Sequence, residues 1–519
     1  MKQKPWHTAL LAVFPILALF AANIQYVAIS DIWAPIAISL LSIFAFFSLF
    51  KLLFKSWIKA GLLASLLSVM FFNYGLYQTT MRGVSIPFYP KNIQFDHNFY
   101  KWTCLLLLII VVWRLVKTTK PLVKLNSLLN LFAIVLVSMS MFNILSFTFD
   151  RGQAEDVVEV ENVKGAEVID PNRPNIYYLI MDAYTRQDIL KDYFDFDNSE
   201  FLDFLKSEGF YVADKSISNY GHTVLSIPSS MNMMYMDSVV NKLGPKSEDR
   251  WPMAKLLNKS KLLAKLKRQK YRTVSYDASM LDVIYLNSAD DFYETPGTQL
   301  SLFHNQLINA TAIRSFNQRR KIKTLSSVDY HRKKINRAFD LMETVPAETT
   351  PHYIHGHVLA PHQPFLFRKD GSPRDMAGEY NIWSPMGMEN DNQWYIRGYV
   401  GQLQYINQRL KQLITKIIHE SERPSIIIIQ GDHGSASELR NHEGYENNDF
   451  KERFSILNAY YFPDQDYSLL YPEISPVNSF KVVLNQYFDE DYKLEDDKAF
   501  YSDWENPYEL YDVTDAVRK

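Results

Sequence analysis

Residues 426–434 read IIIIQGDHG. Four consecutive isoleucines suit a strand buried on both faces. Asp432 and His433 follow that run between two glycines. A carboxylate beside an imidazole is suitable chemistry for holding a divalent cation. Open α/β sheets place their ligands at the carboxyl ends of such strands. An ordinary turn would use the same residue types, so the decision rests on the rest of the chain.

Asp182 stands in the same relation to an earlier apolar run, NIYYLIM at 175–181. Two parallel strands would bring Asp182 and Asp432 to one rim. Asp182 could instead cap a following helix. The segment 218–234, SNYGHTVLSIPSSMNMM, is dense in hydroxyls, and Thr223 and Ser226 are the candidate nucleophiles. A free hydroxyl is a weak nucleophile at neutral pH, and a bound cation lowers its pKa. The alternative is that these hydroxyls cap a helix starting near Ser226 or Ser229. Such a helix N-terminus would also receive an anionic phosphate. His352, His355, His357 and His362 cluster within 351–365, and His442 lies beyond His433. His355 and His357 would share one strand face. His357 and His362 are the preferred substrate contacts, and His352 and His355 are read as structural.

The elements that must position these groups alternate. Strands are expected at 175–181, 271–276, 353–359, 424–430 and 456–462. Helices are expected at 200–208, 255–268 and 395–420. This order predicts a mostly parallel sheet flanked by helices.

The first 149 residues are different. About five apolar runs, near 8–29, 32–50, 57–77, 99–116 and 126–147, approach the ~20 residues a membrane helix needs. A cleaved signal peptide would explain only the first, and no small-residue cleavage site is evident. Lys2, Lys4, Lys51, Lys55, Lys59, Arg114, Lys117, Lys120 and Lys124 fall in alternate connections. The positive-inside rule then puts the N-terminus in the cytoplasm and exports everything after Phe149. The segment 150–174 is acidic and reads as a linker, which leaves 175–519 as the catalytic domain. The single cysteine, Cys104, falls in the fourth run, so the exported part has neither disulfides nor a thiol nucleophile. The net charge of −2 gives no sign of nucleic-acid binding. A transporter is disfavoured, since no span carries a convincing buried charge beyond Arg114, which sits near an end.

With these residues in view, the chain resembles the sulfatase-like branch of the alkaline phosphatase superfamily. Within it, it resembles membrane-anchored lipoteichoic acid synthases and phosphoethanolamine transferases. The resemblance is carried by the strand ending at Asp182, by Thr223-Val-Leu-Ser226-Ile-Pro228, by His357 to Pro364, and by Gln430 to Gly434. It implies an alkaline phosphatase-like fold and a divalent metal, zinc or manganese, with a second ion as an option. It implies Asp182, Thr223, Asp432 and His433 as metal ligands, Thr223 as the nucleophile that becomes phosphorylated, and His357, His362 and His442 as phosphoryl contacts. It implies a membrane phospholipid donor and a glycan or lipid acceptor. There are departures. The transferases commonly use Glu where Asp182 stands. The exported part also lacks the cysteines that often brace phosphoethanolamine transferases. Sulfatases proper need a C/S-x-P-x-R motif, and Ser226-Ile-Pro228-Ser229-Ser230 lacks the arginine. The expected activity is a metal-dependent phosphotransferase of the cytoplasmic membrane. A hydrolase of the same fold and a catalytically silent envelope-assembly protein are the rivals.

Overall fold

The computed structural model describes residues 4–81, 84–86, 93–155, 173–278, 282–296, 301–315, 327–344, 350–374, 392–437 and 449–519. The chain divides into two units: Met1–Gly152 with Thr298–Ser326, and Gln153–Gly297 with Ser327–Lys519.

The first unit is helical: α1 (His7–Asn23), α2 (Trp33–Phe54), α3 (Trp57–Phe72), α4 (Tyr74–Thr80), α5 (His97–Lys117) and α6 (Val123–Glu155). Among the described residues, three stretches, Ile29–Phe54, His97–Lys117 and Val123–Phe149, are long and apolar enough to cross a membrane. α3 and α4 add a fourth only if taken together across a 44° bend, and α1 is a shorter apolar helix of 17 residues. Leu41, Leu52 and Phe142 are exposed on the bundle, as expected of side chains solvated by hydrocarbon. The expected linker begins inside α6, which continues to Glu155. The rest of that linker, through 172, lies outside the described residues.

The second unit is built on a seven-stranded mixed sheet. In chain order its strands are β1 (Asn175–Met181), β2 (Tyr211–Val212), β3 (Arg272–Tyr276), β4 (Asp291–Tyr293), β5 (His352–Val358), β6 (Ser425–Gln430) and β7 (Asn458–Tyr461). The spatial order is β2-β7-β6-β1-β5-β3-β4. The centre from β6 to β4 is parallel. β7 and β2 run antiparallel to their neighbours, which a purely alternating reading did not anticipate. β7 also starts two residues later than expected.

Alternation along the central strands feeds two cores, one on each face. Tyr177, Leu179, Met181, Ile427 and Ile429 pack against Ile335 and Phe339 of α11 (Ser327–Met342) and against Leu403, Ile406 and Leu410 of α12 (Asn392–Glu420). Ile176, Tyr178, Ile180, Ile426 and Ile428 pack against α7 (Thr223–Asn232), α9 (Lys261–Arg268) and α13 (Pro476–Tyr487). Each such side chain contributes about 1.5–3 kcal/mol by leaving water. The helix expected over 255–268 is two helices, α8 (Trp251–Asn258) and α9. Ser260 restarts the second by accepting a bond from the Leu263 N–H.

α7 also differs from expectation. It starts at Thr223, not near Ser226 or Ser229, and His222 precedes it without a side-chain cap. Burial overrides capping preference here, since every residue of α7 after Thr223 is buried.

Candidate active site

Register brings the two aspartates together. Ile180 of β1 pairs with Gln430 of β6 on one side and with His357 of β5 on the other. Two residues on from Ile180 and Gln430 are Asp182 and Asp432, and both are buried. The Ala183 N–H donates to Asp432 Oδ1 at 3.1 Å. Ala183 adopts φ 62°, a left-handed turn that costs a non-glycine residue free energy. The Tyr399 hydroxyl pins that turn by donating to the Ala183 carbonyl at 2.7 Å.

Gly431 and Gly434 allow the second loop to approach. A Cβ at Gly431 would lie 2.4 Å from the Tyr184 carbonyl oxygen, and one at Gly434 2.1 Å from that of Glu452. His433 Nδ1 donates to the Gly434 carbonyl at 2.9 Å. That bond fixes the tautomer and leaves the Nε2 lone pair facing the site. His433 Nε2 lies 3.5 Å from Asp182 Oδ1 and 3.6 Å from Asp432 Oδ2.

Thr223 closes the group. Its Oγ1 is 3.5 Å from Asp182 Oδ2 and 3.4 Å from His433 Nε2. It is the only half-buried residue of α7, and its hydroxyl lies against the carboxylate of Asp182 and the imidazole of His433. Ser226, one turn on, is buried, and its hydroxyl donates to the Asp432 carbonyl at 2.7 Å. His357 is buried, with Nε2 3.2 Å from Asp182 Oδ2. His362 is half-buried, and its ring centroid lies 6.0 Å from that of His433. Asp182, His362 and His433 form one possible donor set, and Asp182, His357 and Asp432 another. His352 and His355 are buried in β5. His442 lies outside the described residues.

The electrostatics suit a cation. Among the described residues, Asp182 Oδ1 and Asp432 Oδ2 are buried and have no hydrogen-bond partner. Burial, and then the charge of Asp182, push the Asp432 carboxyl up to about 7. Burial alone would raise Asp182 too, but His362, His357 and His433 hold it below the usual carboxylate range. Burial, and then Arg453, hold His433 well below its ordinary value, so its imidazole is neutral, as a metal ligand must be. Two buried carboxylates with open oxygens, a neutral imidazole and a hydroxyl are a donor set that fits a divalent ion.

Sequence reading missed Arg453. It is buried, donates Nε to the Gly221 carbonyl at 2.9 Å and Nη1 to the Gly434 carbonyl at 3.2 Å, and so ties the Thr223 loop to the His433 loop. It lies in an unremarked charged stretch, DFKERF, and no spacing rule flags it.

A family model described as Sulfatase matches residues 174–471, more than half of the chain. A comparison with curated proteins finds no match. Among solved structures, the zinc complex of the C-terminal periplasmic domain of EcEptC from Escherichia coli is 13% identical. That match covers 66% of this chain and 92% of the other, with a TM-score of 0.43. The integral membrane lipooligosaccharide phosphoethanolamine transferase A from Neisseria meningitidis is 11% identical. It covers 93% of this chain and 96% of the other, with a TM-score of 0.39. The C-terminal periplasmic domain of phosphoethanolamine transferase EptC from Campylobacter jejuni is 12% identical. It covers 62% of this chain and 92% of the other, with a TM-score of 0.37.

Proposed function

The chain belongs to the sulfatase family, and from that premise we propose that it is a membrane-anchored, metal-dependent phosphotransferase working through Thr223. The observation that carries this reading is the meeting of Thr223 Oγ1, His433 Nε2 and the open oxygens of Asp182 and Asp432 within hydrogen-bonding or near-bonding reach. Asp182, Thr223, Asp432 and His433 would hold a zinc or manganese ion, whose charge would lower the threonine pKa and offset phosphoryl charge. Asp182, His357 and Asp432 would be the ligands of any further ion.

Thr223 Oγ attacks the phosphorus of a lipid phosphodiester. The bond to the lipid alcohol breaks, and that alcohol leaves with a proton. The phosphoryl-linked headgroup now rests on Thr223. A hydroxyl of a glycan or lipid acceptor then attacks the same phosphorus, gives up its proton and frees the threonine. The N-terminus of α7 would receive the phosphoryl oxygens, with His362 as a further contact; His442, which lies outside the described residues, is assigned to the same role by the resemblance alone. His357 steadies Asp182. Ser226 is unsuited to attack because its hydroxyl is spent on the Asp432 carbonyl, and the arginine of a sulfatase signature is missing after it.

In this reading the membrane is crossed five times, by α1, α2, α3 with α4, α5 and α6. The basic connections lie in the cytoplasm, and the catalytic unit lies on the extracytoplasmic side of the cytoplasmic membrane. The anchor is 1–149, the linker 150–174 and the catalytic domain 175–519, with 298–326 returning to the anchor. A product assay with and without an acceptor alcohol tests the transfer. Headgroup recovered only on water would make the enzyme a hydrolase.

A further inference from the structure

The chain leaves the helical unit after Gly152, enters the catalytic unit, returns as Thr298–Ser326 and leaves again. We propose that the returning helix α10 (Leu302–Ala310) is a second, non-covalent tether that holds the catalytic unit to its anchor independently of the segment following α6.

Three features of the contact are independent of one another. Phe303 is fully buried in a cluster with Ile16, Phe20, Ile24, Val27 and Ile144, and its ring meets Phe20 edge-on at 6.4 Å. Gly75 of α4 lets backbone meet backbone: a Cβ there would lie 2.5 Å from the Asn309 carbonyl oxygen and 2.6 Å from Ala310 Cα. No flexible side chain stands there to give way. The Ala312 N–H donates to the Phe71 carbonyl at 2.9 Å, and that carbonyl belongs to the last turn of α3, where helical partners run out. Apolar burial, close fit and a hydrogen bond thus converge on one end of the bundle. That end carries the C-terminal halves of α1 and α3, away from Lys51, Lys55 and Lys59.

The proposal rests on the membrane reading of α1 to α6 and not on the chemistry, so its test reads location rather than turnover. A site-specific protease sequence is placed within 156–172 of the full-length protein, which is cut in its native membranes. The membranes are sedimented through a high-salt wash, which removes material held by surface charge alone. The C-terminal fragment should remain in the pellet. With Gly75→Leu it should move to the supernatant. Phe303→Ala changes a residue that follows every membrane helix in the chain, so insertion of the bundle is not at issue. It should raise release several-fold. Release of the unaltered fragment on cutting, or retention of both variant fragments, would overturn the tether.

Discussion

The strands β1 and β6 carry two polar layers only a few residues apart, and the layers are treated in opposite ways. In the inner layer the Tyr178 hydroxyl donates to Gln430 Oε1 at 2.7 Å. Gln430 Nε2 donates to Asn458 and Ser479, each at 3.1 Å. At the rim, Asp182 and Asp432 each keep a buried oxygen without a partner among the described residues. Buried polar groups are ordinarily satisfied, and leaving one open costs about 1–3 kcal/mol. The inner layer fixes the register of the strands. The rim uses that register to hold an open coordination set that only a further ligand completes.

The largest expected break in this contrast comes at Asp432. Asp432→Asn should empty the site of metal and abolish turnover. It should also make the chelator-treated protein more stable, by roughly 1–3 kcal/mol, because one of two facing charges is gone. Metal analysis and thermal melts with chelator read the two effects. Full metal occupancy would return Asp432 to the status of a turn residue. The mirror change is Tyr178→Phe. It strands Gln430 Oε1 and should cost about 1–3 kcal/mol in a urea melt while metal content stays unchanged. Loss of metal there would mean the layers are not separable.

Acid should also act through two buried histidines outside the rim. Burial, and then His357, depress His355 to about 3, and burial with Lys334 does the same to His331. Unfolded, each takes a proton near its ordinary value of 6.5; folded, each refuses it until about 3. Stability from these groups is therefore complete above 6.5 and falls steadily as pH drops toward 3. Replacing His355 by Phe should flatten part of that slope in urea midpoints taken along a pH series. An unchanged slope would remove His355 from the account. Ser226→Ala should have the smallest effect. It removes one bond to the Asp432 carbonyl, about 1 kcal/mol of stability, and should leave activity within about tenfold.

Much of the site was legible because its residues follow apolar strands. Asp182, Asp432 and His433 each come straight after runs that could only be buried, and parallel pairing then brings them together. Other features depended on tertiary structure. Residue types put the start of α7 too late because serine is a good cap, whereas a buried α7 needs none. Arg453 acts through backbone carbonyls, which leave no trace in residue types. α10 looks like an ordinary segment of the exported part, and only packing against Gly75 and Phe20 assigns it to the anchor. The antiparallel strands β7 and β2 are too short for their direction to be read from pattern.

The central claim is that the open rim exists to activate Thr223. It is tested most directly by mass spectrometry of the protein from its native membrane, with the covalent adduct mapped to a residue. The account predicts a phosphoryl-linked mass on Thr223. Thr223→Ala should lose it, and should lower turnover by about 10⁴-fold or more in a protein that still inserts and folds. An adduct mapped to Ser226, or one that survives Thr223→Ala, would contradict the account.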